Sequence, residues 1–231
     1  DSSYTAEEAR LLDLALILHA EHGGGNNSTF TTRVLTSSGT DIYSAIAGAV
    51  SSLKGPKHGG ANIKVCEMIN EIKENVRDWA NDGEIADYLR KILNKQAGDG
   101  SGLIYGMGHA IYTMSDPRAV ILRKSAEKLA EQKGRLDELR LMDKIAELSP
   151  GMFGEVKGET KVISPNVDFY SGFIYDMLEI PSELYTALFA IARISGWCAH
   201  RIEEINSGGR IIRPAYKSII PHREYIPLNE R

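Results

Sequence analysis

The chain is poor in the features that would fix its surroundings at once. Its 231 residues include only two cysteines, Cys66 and Cys198, far apart within helix-like patterns. Two lone thiols exclude a disulfide framework and suggest a reducing compartment, so a cytoplasmic location is expected. No stretch approaches the roughly 20 apolar residues that span a bilayer: residues 11–20 are too few, and residues 184–199 include Arg193. Lys and Arg number 27 against 31 Asp and Glu, a net charge of −4 with no long basic block. That balance argues against a general nucleic-acid binder. Residues 210–231 are locally basic and read as a solvated or phosphate-facing edge. Repeats, low-complexity tracts and a signal-peptide pattern are all missing. The first residue is Asp1 and not Met, so a processed or cut start is expected.

What is present is helical punctuation. Thr5-Ala6-Glu7-Glu8 forms a capping box, which opens a helix running to His19. Apolar periodicity and caps predict further helices over 28–36, 42–53, 61–78, 83–95, 117–132, 136–148, 173–178 and 181–205. Asp41 and Asp116 stand as N-caps, with Pro117 at the first helical position. Residues 149–161 read as loop, and residues 161–163 as a scrap of strand. The Ala- and Gly-rich helix 42–53 suggests close helix packing. The helix 181–205 is apolar almost all round and is expected to be central and buried.

Several stretches carry chemistry. Gly55-Pro56-Lys57-His58-Gly59-Gly60-Ala61-Asn62 places a histidine just before a helix N-terminus. The positive end of that helix keeps the ring neutral, so His58 either donates to an oxyanion or only caps the helix. His19 and His22 stand at i, i+3, but no third metal ligand has a supporting spacing. Ligand contact by one and a structural role for the other is expected, and no metal. Gly106-Met107-Gly108 offers backbone amides beside His109, without the context of a dinucleotide fold. Arg118 sits badly in the first turn of its helix, which a nearby anion would repair. Asp168, between Val167 and Phe169, is either a helix cap or a partly desolvated base. Arg193, in an apolar helix, needs an anion from the protein or a ligand. Together these groups suit removal of a carbon-bound proton beside a carbonyl, with a polyanion held by arginines.

The same stretches carry a resemblance. Residues 53–62, Gly106-Met107-Gly108-His109 with Asp116-Pro117-Arg118, and Asn166-Val167-Asp168 with Ser171-Gly172 are similar to the three catalytic signatures of the citrate synthase family. His19-Ala20-Glu21-His22, residues 189–197 and Arg213-Pro214 resemble its oxaloacetate-binding segments. The resemblance implies an all-α fold, with residues 1–56 and 181–231 in a large domain and 57–180 in a small one. It implies condensation of acetyl-CoA with oxaloacetate in the tricarboxylic acid cycle, without a cofactor or metal, by a homodimer. His58, His109 and Asp168 would be catalytic. His22, Arg118, Arg193 and Arg213 would bind oxaloacetate, Arg213 from the partner subunit. Tyr105, Gly106, Met107, Gly108, Lys161 and Asn166 would bind CoA. Two departures stand out. Ala110 and Thr113 replace basic residues common in the family, and the helical block that precedes His19 in the family lies outside this chain. A C-terminal fragment without turnover of its own is therefore expected. Propionyl-CoA use, as in 2-methylcitrate synthase, or a non-catalytic helical module are the alternatives.

Overall fold

A computed structural model describes residues 3–108, 114–158, 163–217 and 219–231. Local chemistry sets most helix starts. The Thr5 hydroxyl accepts from Glu8 N, while Glu8 Oε2 accepts from the Thr5 N–H at 2.7 Å, and α1 (Ala6–His19) follows. α2 (Asn27–Ser37) is separated from α1 by the triple-glycine turn, and α3 (Ile42–Leu53) starts where Asp41 accepts from Ser44 N. α4 (Ala61–Asn75) comes directly after the His58 turn, and Asn81 caps α5 (Asp82–Leu93). Asp116 caps α6 (Pro117–Gln132), and α7 (Leu136–Lys157) ends at Gly158 in the left-handed conformation. Asn166 caps α8 (Val167–Met177), and a 3-10 turn at Ser182–Leu184 leads into α9 (Tyr185–Asn206). Among the described residues there is no strand beyond a lone antiparallel bridge between Met107 and Pro165. The fold is all-α, as expected. No helix among the described residues is long and apolar enough to cross a membrane.

The helices pack in two sets. α2, α3 and α9 pack on one another, while α8 lies on α4 and α6, and α5 on α7. α1 touches α6, α8 and α9, so it joins the two sets. Ile72, Leu89, Leu122, Leu139, Phe169 and Ile174 lie in the main core, and Ala49, Leu53, Phe189 and Trp197 form a second, smaller one. Small residues on α3 do allow close approach: a Cβ on Gly48 would overlap the side chain of Leu35 on α2.

Four expectations need correction. α7 continues through Pro150 to Lys157, past the predicted end at residue 148. The proline removes one helical N–H, and packing against α5 supports the helix in spite of that loss. α8 begins at Val167, six residues before the predicted start, because Asn166 Oδ1 accepts from Asp168 N. Asp168 is thus in the first turn and is not the cap. α9 is buried along one face only: Phe189, Arg193 and Trp197 are covered, while Ile191 is 62% exposed and Ile202 58%. Its partners α1, α2 and α3 all lie on that face. Finally, of the suggested strand only Ile163 is described, and it is not in one; Lys161 and Val162 lie outside the described residues.

Candidate active site

The His58 turn is held by its own backbone. His58 N donates to Gly55 O at 2.9 Å, Gly59 N donates to Leu53 O at 2.8 Å, and Thr186 Oγ1 donates to Gly59 O at 3.1 Å. The imidazole is half-buried, with Nε2 3.0 Å from Ser28 Oγ and its edge toward the Phe189 ring at 6.3 Å. Burial lowers its pKa, and the nearby Arg193 lowers it further. His58 is therefore neutral at pH 7, as its place ahead of α4 predicts.

Asp168 stands opposite a pair of buried charges. Asp116 is fully buried and uses both oxygens: Oδ1 accepts from Arg118 N and Nε, each at 3.0 Å, and Oδ2 accepts from Arg118 Nη2 at 2.8 Å and Val167 N at 3.1 Å. One carboxylate thus fixes Arg118 and ties the start of α6 to the start of α8. It is also the anion that the position of Arg118 called for. Asp168, on the next residue of α8, is partly accessible but densely surrounded. Burial pushes its pKa up to about 6, with Asp116 adding to the rise and Arg118 and Arg193 opposing it. That is a carboxylate basic enough to take a proton near neutral pH.

The loop of residues 105–108 is stitched to the segment leading into α8. Gly108 N donates to Ser164 O at 2.8 Å, Asn166 N to Gly106 O at 2.9 Å, and Asn166 Nδ2 to Gly108 O at 3.0 Å. Gly106 has φ +76°, and a Cβ there would lie 2.8 Å from Val65 and 2.9 Å from Phe169. Gly106→Ala should therefore cost about 2–4 kcal/mol, combining left-handed strain with overpacking. Denaturant unfolding of the variant checks this. Tyr105, Gly106, Met107, Gly108 and Asn166 thus form one described unit, and Lys161 lies outside the described residues.

Arg193 is fully buried on α9. Its Nε donates to the His19 carbonyl at 2.5 Å, Nη1 donates to Asn26 Oδ1 at 3.3 Å, and the guanidinium lies 4.7 Å over the Phe189 ring. Nη2 has no partner among the described residues. Burial lowers the Arg193 pKa to about 10, with Glu21 and Asp168 opposing the fall and Arg118 adding to it. Among the described residues no carboxylate is bonded to Arg193, and its open donor suits an anionic ligand. His19 packs 4.5 Å from Phe189, and burial, then Arg193, lower its pKa to about 3. His19 is thus the structural histidine of the pair, while His22 is half-buried in the turn that carries Asn26.

The structure brings His58, Arg118, Asp168 and Arg193 into one electrostatic neighbourhood. Arg213 stands apart: it is exposed beyond the end of α9, where Ile212 N donates to Ser37 Oγ at the far end of α2. His109 lies outside the described residues. Ser28 and Asn26, which hold His58 and Arg193, were missed by sequence reasoning. Asn-Asn-Ser after three glycines was the available signal, but it reads equally well as a turn. A cavity of about 570 Å³ beside Cys66, Phe173, Asp176 and Tyr185 includes none of the candidate residues in its lining. Among the described residues, no three His, Cys, Asp or Glu side chains come together as a metal site.

A raised carboxylate, a neutral imidazole and buried guanidinium groups are groups that can take a proton, donate a hydrogen bond and hold an anion. Comparison with known proteins identifies the family. The family described as "Citrate synthase, C-terminal domain" matches residues 1–215. The chain is 42% identical to a citrate synthase of Synechocystis sp. over 227 residues, covering 96% of this chain and 52% of that protein. It is 41% identical to a citrate synthase of Deinococcus radiodurans, covering 98% of this chain and 55% of that one. The chain thus spans about half the length of the curated relatives it matches. Among solved structures, citrate synthase from Thermotoga maritima superposes with a TM-score of 0.77 at 36% identity, over 99% of this chain and 57% of that one. A Thermoplasma acidophilum citrate synthase in ternary complex with carboxymethyl coenzyme A and oxaloacetate gives 0.77 at 34% identity, with the same coverage. With the match extending over nearly all of its length, the chain belongs to the citrate synthase family.

Proposed function

We propose that this chain is the catalytic part of a citrate synthase, which condenses acetyl-CoA with oxaloacetate and releases citrate and CoA. The observation that carries the reading is Asp168, a carboxylate with a pKa near 6 in the field of two buried arginines, one of which, Arg193, also acts on the neutral His58. In this reading Asp168 takes a proton from the acetyl methyl group. His58 donates a hydrogen bond to the thioester oxygen, which stabilises the enol as it forms. The enol carbon attacks the oxaloacetate ketone, and His109 delivers a proton to the new alkoxide. Water then cleaves the thioester of citryl-CoA, leaving citrate and CoA. His22, Arg118 and Arg193 hold the oxaloacetate carboxylates, and Arg213 reaches the site from the partner subunit of a homodimer. Tyr105, Gly106, Met107, Gly108, Lys161 and Asn166 hold CoA. Residues 57–180 act as the small domain that closes over the substrates, in the cytoplasm, as a step of the tricarboxylic acid cycle and with no cofactor. The ternary complex of the Thermoplasma relative, with oxaloacetate and carboxymethyl coenzyme A, supports this choice of substrates.

A second reading has an observation of its own. The chain also superposes on a citryl-CoA lyase of Hydrogenobacter thermophilus, with a TM-score of 0.70 at 25% identity, covering 98% of this chain and 82% of that one. The same groups run backwards would cleave citryl-CoA. The distinguishing experiment supplies acetyl-CoA with oxaloacetate, propionyl-CoA with oxaloacetate, and citryl-CoA, to the chain and to any longer product of its reading frame. Citrate formation from the first pair, exceeding the other two reactions, is expected of the longer product, and turnover near background of the chain alone. Acetyl-CoA released from citryl-CoA without net citrate formation would overturn the assignment.

A further inference from the structure

One stripe of α9 faces the turn that carries His22. Arg193, Gly196 and His200 lie along it at successive helical turns. Arg193 Nε donates to the His19 carbonyl. Gly196 lets the end of α1 come close: a Cβ there would overlap the Ala20 carbonyl and lie 2.6 Å from Glu21 Oε2. His200 Nε2 is 3.0 Å from Glu21 Oε1, with Nδ1 turned toward Glu203 at 3.5 Å. Glu21 Oε1 also accepts from His22 N at 2.8 Å and from Gly23 N. Burial alone would raise the pKa of Glu21, but the bonds from His200, Gly23 and His22 hold it below its ordinary value. Glu21 is therefore an ionised carboxylate, which can only accept, so His200 Nε2 is the donor.

That carboxylate stands over Gly196, only one turn of α9 from Arg193. The guanidinium is buried, and its Nη2 has no partner among the described residues. Burial lowers the Arg193 pKa, and of the charges around it Glu21 opposes that fall most. A carboxylate so near a buried, incompletely paired cation is stabilised by bonding to it. Arg33, the other guanidinium at the turn, is already bonded to Glu204 at 3.1 Å. The N–H groups of His22 and Gly23 belong to the turn itself, so they do not fix Glu21 relative to α9. His200 does, from the side of Gly196 away from Arg193. We propose that His200 is a positioning residue that keeps the substrate site open: its bond to Glu21 holds that carboxylate off Arg193, whose Nη2 stays available to a carboxylate of oxaloacetate. Gly196 belongs to the same device, since a side chain there would take the place of the Glu21 carboxylate. Without His200, Glu21 turns to Arg193 and competes with the substrate from inside the protein.

The proposal rests on the reading of Arg193 as an oxaloacetate ligand. Calorimetry with oxaloacetate on the longer product of the reading frame tests it. His200→Leu, which cannot bond to Glu21, should weaken binding about 10-fold, as when an internal anion occupies the donor about nine-tenths of the time. At saturating oxaloacetate its kcat should stay within about 2-fold of the parent, because competition acts on KM. His200→Gln, whose amide still donates to Glu21, should bind within about 3-fold of the parent. Adding Glu21→Gln to His200→Leu should restore affinity to within about 3-fold, since Gln still accepts from His22 N and Gly23 N but carries no charge to compete. A purely structural role for His200 would leave the double variant at least as weak as the single one. A double variant that weak overturns the proposal, and so does affinity within about 2-fold of the parent in His200→Leu. If His200→Leu does not fold, His200→Ala takes its place. A crystal structure of the single variant without ligand should show Glu21 bonded to Arg193 Nη2, and Glu21 still over Gly196 would overturn the proposal. That readout needs no substrate. A parent that binds no oxaloacetate would count against the proposed function, and the crystal structure would then decide the role of His200.

Discussion

Asp168→Asn should give a protein that is more stable at neutral pH and almost inactive. Asn keeps the shape and cannot take a proton, so in a longer, active product of the reading frame kcat should fall about 10²- to 10⁴-fold while oxaloacetate still binds. The stability effect follows from the sign of the shift. The folded pKa of Asp168 is raised to about 6 from 3.8. Its contribution is therefore complete below about pH 4 and is lost as the pH rises toward 6. Above that, the ionised carboxylate burdens the fold by at most about 3 kcal/mol, and by less because the group remains partly accessible. Thermal melts should show the variant about 2–6 °C higher than the parent at pH 8, with the two converging near pH 4. Equal melting at pH 8 with turnover within a few fold would mean that Asp168 is an ordinary helix residue.

Arg193→Leu should separate binding from folding in the opposite sense. The substitution removes a buried cation whose pKa burial has already pulled down to about 10. It removes a donor from the His19 carbonyl, while Asn26 Oδ1 keeps Ser28 Oγ at 3.0 Å. An orphaned acceptor costs about 1–3 kcal/mol, and relief of the buried charge offsets much of that. The fold should survive with a melting point within several degrees of the parent. Oxaloacetate affinity, measured by calorimetry, should fall at least about 100-fold, as expected for loss of a buried charged hydrogen bond to a carboxylate. Unfolding of the variant together with normal affinity under stabilising conditions would place Arg193 in the scaffold and not in the site.

The helical frame was legible because its signals are local. Thr5, Asp41 and Asp116 each announced a helix start that the structure contains, and α3 and α6 run over the predicted residues. Pro150 misled because proline is read as a stop, whereas α7 packs on α5 and continues past it. Arg118 was recognised as needing an anion, but its partner two residues back was taken as a cap alone. Asp116 does both, since its two oxygens serve the backbone and the guanidinium together. Burial of α9 on every side was over-read from composition, because an all-apolar helix says nothing about which of its faces this chain covers. Ser28 and His58 are separated by 30 residues, and Asn26 and Arg193 by 167. No short window along the sequence brings either pair together, so the support of His58 and Arg193 became visible only in three dimensions.

The central claim is that Asp168 removes the acetyl proton for a condensation with oxaloacetate. The measurement that tests it most directly is exchange of the acetyl-CoA methyl protons with solvent deuterium, followed by mass spectrometry, in the presence of a non-reactive oxaloacetate analogue. The account predicts exchange with the active protein, weakening below about pH 6 as Asp168 becomes protonated, and none with Asp168→Asn. Exchange that persists in Asp168→Asn, or that fails to weaken below pH 6, would contradict it.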